Sequence, residues 1–159
     1  MDASAFLDLG ERHYPESVPI FSPIWEFIYE GIESGLIVSV DYVKIELEKK
    51  ADEWRTNFLL KANDMFQMSD EIESEYAKVI SEIERGGQFN VNKARDKFVS
   101  GADPWLIAMA RSIGSDATVI SAEKKTLSGY GLGAVCNELN VRHINLVAFF
   151  VENNIGNNS

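Results

Sequence analysis

Cysteine is almost missing from this chain: Cys136 stands alone, so no internal disulfide forms and the fold must hold by packing. Long apolar runs are missing too, which excludes a membrane-spanning helix of the usual length. The first residues offer no basic region followed by an apolar core, and Asp2 and Asp8 interrupt what apolar pattern exists. No export signal is expected, and a reducing cytoplasm fits the lone cysteine. Positive charge is scarce, with 15 Lys and Arg against 25 Asp and Glu and a formal charge of -10. That argues against a protein that grips nucleic acid through bulk charge, because such binding rests on basic side chains neutralising phosphates. It leaves room for an enzyme acting on phosphates, since bound divalent cations supply positive charge locally. Surface acidity also serves solubility.

Other signatures are weak or absent. His13 and His143 have no zinc-ligand spacing to each other or to Cys136, and no Ser/His/Asp or Cys/His nucleophile system stands out. "GYGLG" has glycine at alternate positions and does not join a strand directly to a helix, so it reads as a loop rather than a phosphate cradle. Lys93, Arg95 and Lys97 form a small basic patch that suits either substrate phosphates or an exposed helix face.

What is present is alternation. Its 159 residues suit one domain with a real core. Ser22-Pro23 opens a helix to about residue 34 that Gly35 stops, followed by a short buried strand at 36–40 and a helix at 41–50. A helix is expected at 52–61, and Ser69 is placed to cap another over 70–85, with Ile72, Tyr76, Val79, Ile80 and Ile83 as its inner stripe. A short helix at 92–98 precedes one at 104–112, a strand at 117–121, a helix through Cys136, a strand at 143–146 and a last helix at 147–154. Strands separated by helices need crossover connections, hence a mostly parallel sheet with its site beyond the carboxyl ends of the strands.

Four acids draw notice in that frame. Asp2 opens "DASAFL", where it suits a helix cap or a ligand. Glu46 falls within the arc of Tyr42, Val43, Ile45 and Leu47 on a helical wheel and points inward. It needs a cation, a donor cluster or a raised pKa, unless Lys50 four residues on folds over it. Asp103 precedes Pro104 and reads as a helix cap, a role compatible with metal binding because a carboxylate has two oxygens. Glu123 follows a strand and precedes two lysines, so it is either a loop acid beside its counter-ions or a site residue at a strand end.

Together these segments resemble a PIN domain, the fold of VapC-type toxin ribonucleases. The likeness is closer to a bacterial and archaeal PIN-like branch known mainly as a domain of unknown function. "DASAFL" followed by "RHYP", "SVDYVKIELEK", "ADPWLIAMA", "TVISAEK" and "VCNELNVRHINL" match that branch's motifs in order, from residue 2 to about 152. The resemblance implies a single domain over 1–152, with 153–159 fraying, built as a three-layer α/β/α sandwich on a mostly parallel sheet. It places the family's acidic quartet on Asp2, Glu46, Asp103 and Glu123, with Ser4 and Ser121 as supporting polar residues.

The implied activity is a Mg²⁺- or Mn²⁺-dependent endoribonuclease cutting single-stranded RNA, usually as the toxin of a toxin–antitoxin pair. An antitoxin protein would be its partner, a homodimer is compatible, and no membrane is involved. Three departures accompany the match. Met1 alone precedes Asp2 where the family carries an apolar strand, so a truncated first strand is expected. "GYGLGAV" replaces the branch's Lys-Ile-Pro, and Glu123 has one methylene more than the Asp of other PIN domains. The truncation supports an alternative: a catalytically impaired scaffold that serves as a protein-binding module.

Overall fold

Helices carry most of the described residues, and β-structure is confined to short parallel pairs. The computed structural model describes residues 1–50, 52–86, 92–122 and 131–155, and of 92–94 the backbone alone.

The helix α1 (Ala3–Leu7) follows Asp2 directly and runs into a π-helical turn over Asp8–His13. Such widened turns are rare and often lie near functional sites. Its Gly10 has a steric reason, because a Cβ there would lie 1.8 Å from Cζ2 of Trp54. Helix α2 (Ser22–Glu33) starts from Phe21 rather than from a Ser22 cap, since Ser22 is already helical and Pro23 lies in the first turn. Gly35, at φ 72°, ends the segment as expected.

The next strand is shorter than expected. Only β1 (Ser39–Val40) pairs, and Leu36 is 85% exposed. Helices α3 (Asp41–Glu48) and α4 (Glu53–Lys61) follow, the second capped by Asp52, which accepts the Arg55 N–H at 2.8 Å. A two-residue strand β2 (Phe66–Gln67) pairs parallel with β1 in the register Ser39↔Phe66. It is too short to stand out as a pattern in the sequence. Ser69 does not cap the following helix: its N–H and hydroxyl bind Asp41 Oδ2 at 3.2 and 3.0 Å. A 3-10 turn over Ser69–Ile72 leads into α5 (Glu73–Arg85), whose Val79 and Ile83 are buried as the stripe requires.

After α6 (Asn92–Val99), helix α7 (Asp103–Ile113) packs along α5. Arg111 pins the two together, at 2.8 Å from Glu75 and at 2.9 and 3.0 Å from the oxygens of Glu82. Strand β3 (Thr118–Ser121), helix α8 (Leu132–Glu138), strand β4 (Arg142–Asn145) and helix α9 (Leu146–Glu152) complete the order. Gly131 precedes α8 and Gly133 lies inside it, so the end of "GYGLG" is helical rather than loop. Turn residues 153–155 close the description, and 156–159 lie outside it.

Strands β3 and β4 pair in parallel from Thr118↔Arg142 to Ser121↔Asn145, separate from the β1–β2 pair. The chain is therefore mixed α/β with two parallel pairs, where a single central sheet was expected. The first residues lie between the pairs. Met1 N donates to Val38 O at 2.8 Å, Ser39 Oγ donates to Met1 O at 2.7 Å, and Asp2 N donates to Ile120 O at 2.9 Å. These bonds do not make residues 1–2 a strand, and the two pairs remain separate sheets. Among the described residues, no helix is long and apolar enough to cross a membrane.

Candidate functional site

Asp2 is held from several directions. It caps α1, with Oδ1 accepting the N–H groups of Ser4 and, at 3.1 Å, Ala5. Its Oδ2 accepts the Ser4 hydroxyl at 2.9 Å, and the oxygen of that hydroxyl accepts the Ala122 N–H at 2.9 Å. Asp2 thus sits against the carboxyl end of β3. Asp2 is only 5% exposed. Burial pushes its pKa up to about 6, against the opposing pull of the Ser4 hydroxyl, the Ala5 N–H, the Met1 ammonium and the Ser4 N–H. The cap itself seats an interior carboxylate, so capping and cation binding are compatible roles for Asp2.

Glu46 reaches another helix start, the one that carries Asp103. Glu46 Oε1 accepts the Ala102 N–H at 3.3 Å, across 56 residues of sequence. No Glu46–Lys50 ion pair forms among the described residues. Half-buried Glu46 therefore points to the N-terminus of α7, where the helix dipole favours an acid. Asp103 is the first residue of that helix, and Ala102 occupies the cap position without a side-chain bond. The expected Asp103 cap is thus displaced by one residue. Its half-buried carboxylate still stands at the helix start.

Ser121 is fully buried at the end of β3, its Oγ 2.8 Å from Nε2 of His143 on β4. The tautomer of His143 decides which of the two donates. A search limited to zinc spacings passes over this contact, and only the strand pairing reveals it. Glu123 lies outside the described residues, as do Lys124 and Lys125. Of the basic patch, Arg95 is engaged by Glu84 at 2.5 Å and lies 4.0 Å from Asp96. Lys97 is exposed, and the Lys93 side chain is not described.

These contacts bring the acids together in two halves. Asp2 with Ser4 and Ala122 forms one, and Glu46 with Ala102 and Asp103 forms the other; α1 packs on both α3 and β3. Among the described residues, no three His, Cys, Asp or Glu side chains come together as a metal-holding group. The donor chemistry nonetheless suits a hard cation. It is carboxylate and hydroxyl oxygen, whereas the one thiol, Cys136, is buried in α8. No Lys or Arg side chain forms an ion pair with Asp2 among the described residues, although its burial makes a counter-ion favourable.

The chain belongs to the family described as "Domain of unknown function (DUF4411)", whose model matches residues 1–156. Comparison with curated proteins and with solved structures returns no match.

Proposed function

We propose that this chain is a metal-dependent endoribonuclease of PIN-like architecture, hydrolysing phosphodiester bonds of single-stranded RNA. Asp2, Glu46 and Asp103, with Glu123, would hold one or two Mg²⁺ or Mn²⁺ ions. Ser4 would orient Asp2, and Ser121 would brace the end of β3. The bound ion supplies Lewis-acid charge for attack at the phosphate. The chain's own part is to aim the carboxylates, through the helix starts and the Ser4 hydroxyl.

The observation that carries this reading is the hydrogen bond from Ala102 N–H to Glu46, which sets two distant acids at one helix start. The bonds made by Met1 and Asp2 add support at the level of the fold. In this reading they join the pairs into one sheet ordered β2, β1, residues 1–2, β3, β4, the centre of a three-layer sandwich. A cytoplasmic toxin restrained by an antitoxin protein, with pairing of two copies, is the setting this reading carries with it.

A second reading has its own observation. The three described acids do not assemble as one metal-holding group, which suits a scaffold without turnover that binds a protein. The test is cleavage of an end-labelled single-stranded RNA by the full chain, with and without Mg²⁺ or Mn²⁺, beside Asp103→Asn. Metal-dependent cleavage that falls on the order of 100-fold or more in the variant supports the nuclease. Equal cleavage by both proteins, or none by either, overturns it.

A further inference from the structure

Two contacts hold α3 against the start of α7. Glu46 meets Ala102, and one turn earlier on α3, Tyr42 stacks on Trp105 with centroids 5.1 Å apart and planes within 13°. Along α3 an acid makes one contact and an aromatic ring the next, about 6 Å apart along the helix axis. The other face of the pair continues into α5: Trp105 stacks on Tyr76 at 3.7 Å and 13°. Three helices thus each contribute one ring to a single column, Tyr42–Trp105–Tyr76. All three rings are half-buried rather than enclosed in the core. Tyr76 closes one end, its hydroxyl reaching Val99 O at 3.4 Å.

Charge gives this column a purpose. At a formal -10, and with Arg95 engaged by Glu84, the chain has little with which to neutralise phosphates. Affinity for a single strand then gains from a contact that needs no positive charge, beside the local charge that a bound cation supplies. Stacking of bases on aromatic rings is such a contact and tolerates any sequence, because every base has a π face. We propose that the Tyr42 end of this column is a nucleobase subsite, on which a base flanking the cleaved phosphate stacks as a fourth ring. The subsite rests on the nuclease reading above and adds to it the feature that holds the strand beside Glu46 and Asp103.

The experiment measures binding of a short fluorescent single-stranded oligoribonucleotide by anisotropy, in chelator so that no cleavage occurs. It uses wild type, Tyr42→Phe and Tyr42→Leu. A matched oligonucleotide carrying abasic positions is titrated against all three. The subsite requires that Tyr42→Leu weaken binding roughly tenfold and that Tyr42→Phe retain it. The abasic strand must bind wild type as weakly as the ordinary strand binds the Leu variant, with no further loss when both changes are combined. Weak dependence on salt must accompany these results.

The abasic arm needs no variant, so a folding defect in Tyr42→Leu cannot mimic it. If wild type binds and cleaves RNA while Tyr42→Leu matches it, or base removal leaves wild-type binding unchanged, the subsite is overturned and the nuclease stands. If wild type neither binds RNA nor cleaves it with metal, both are overturned.

Discussion

The Ser4 hydroxyl stands between Asp2 and Ala122, donating to Asp2 Oδ2 and accepting the Ala122 N–H, each at 2.9 Å. One small side chain thereby links the cap of α1 to the end of β3, across 118 residues of sequence. Ser4→Ala removes both bonds and leaves the Ala122 N–H without this acceptor. A stability loss of about 1–2 kcal/mol is expected in urea denaturation. Metal affinity should fall about tenfold as the Asp2 carboxylate loses its aim. Unchanged stability and unchanged affinity together would show the link to be incidental.

The Asp2 carboxyl gives the protein a pH dependence of definite sign. Burial raises its pKa from 3.8 in the unfolded chain to about 6 when folded. The folded state thus prefers the protonated form. The stability contribution is fully present below 3.8 and is lost as pH rises through about 6, roughly 3 kcal/mol by linkage. A bound cation offsets that loss and must displace the proton wherever the carboxyl is protonated. Millimolar Mg²⁺ should therefore raise the melting temperature at pH about 7.5 and much less at pH about 5. Equal shifts at the two values would exclude Asp2 as a ligand.

Arg55 bears on stability alone. It is 7% exposed, paired with Glu11 of the π-helical turn and, at 3.1 Å, with Asp52. Arg55→Ala leaves two carboxylates facing each other beside a buried gap. Because Glu11 and Asp52 stay partly exposed, the loss expected is about 2 kcal/mol, that of hydrogen bonds to charged groups. The same variant should keep wild-type metal dependence when assayed well below its melting point. A change in stability under about 1 kcal/mol would show that the pairs are screened as surface pairs are.

The sequence made some of this site legible and not the rest. The inward turn of Glu46 was visible on a helical wheel, because helical period alone decides which way a side chain points. Its partner was not, since Ala102 contributes a backbone N–H that any residue there would offer. Asp103 stands one residue past the cap, because Asp-Pro suits both the cap and the first turn. Strand β3 is legible in its β-branched run Thr118-Val119-Ile120, and β4 begins and ends one residue before the expected 143–146, whereas β2 has two residues and no period to read. Leu36 counted as buried by its type, yet the chain turns it outward. The Ser121–His143 contact depends on the register Val119↔His143, which local pattern does not encode.

In the proposed nuclease, carboxylates from separate elements serve one hard cation. Isothermal titration of Mn²⁺ into wild type and into Asp2→Asn, Glu46→Gln and Asp103→Asn tests it most directly. A shared site requires a wild-type binding event that weakens about tenfold or more in every one of the three variants. Wild-type affinity retained in any two of them, or no binding by wild type, would contradict it.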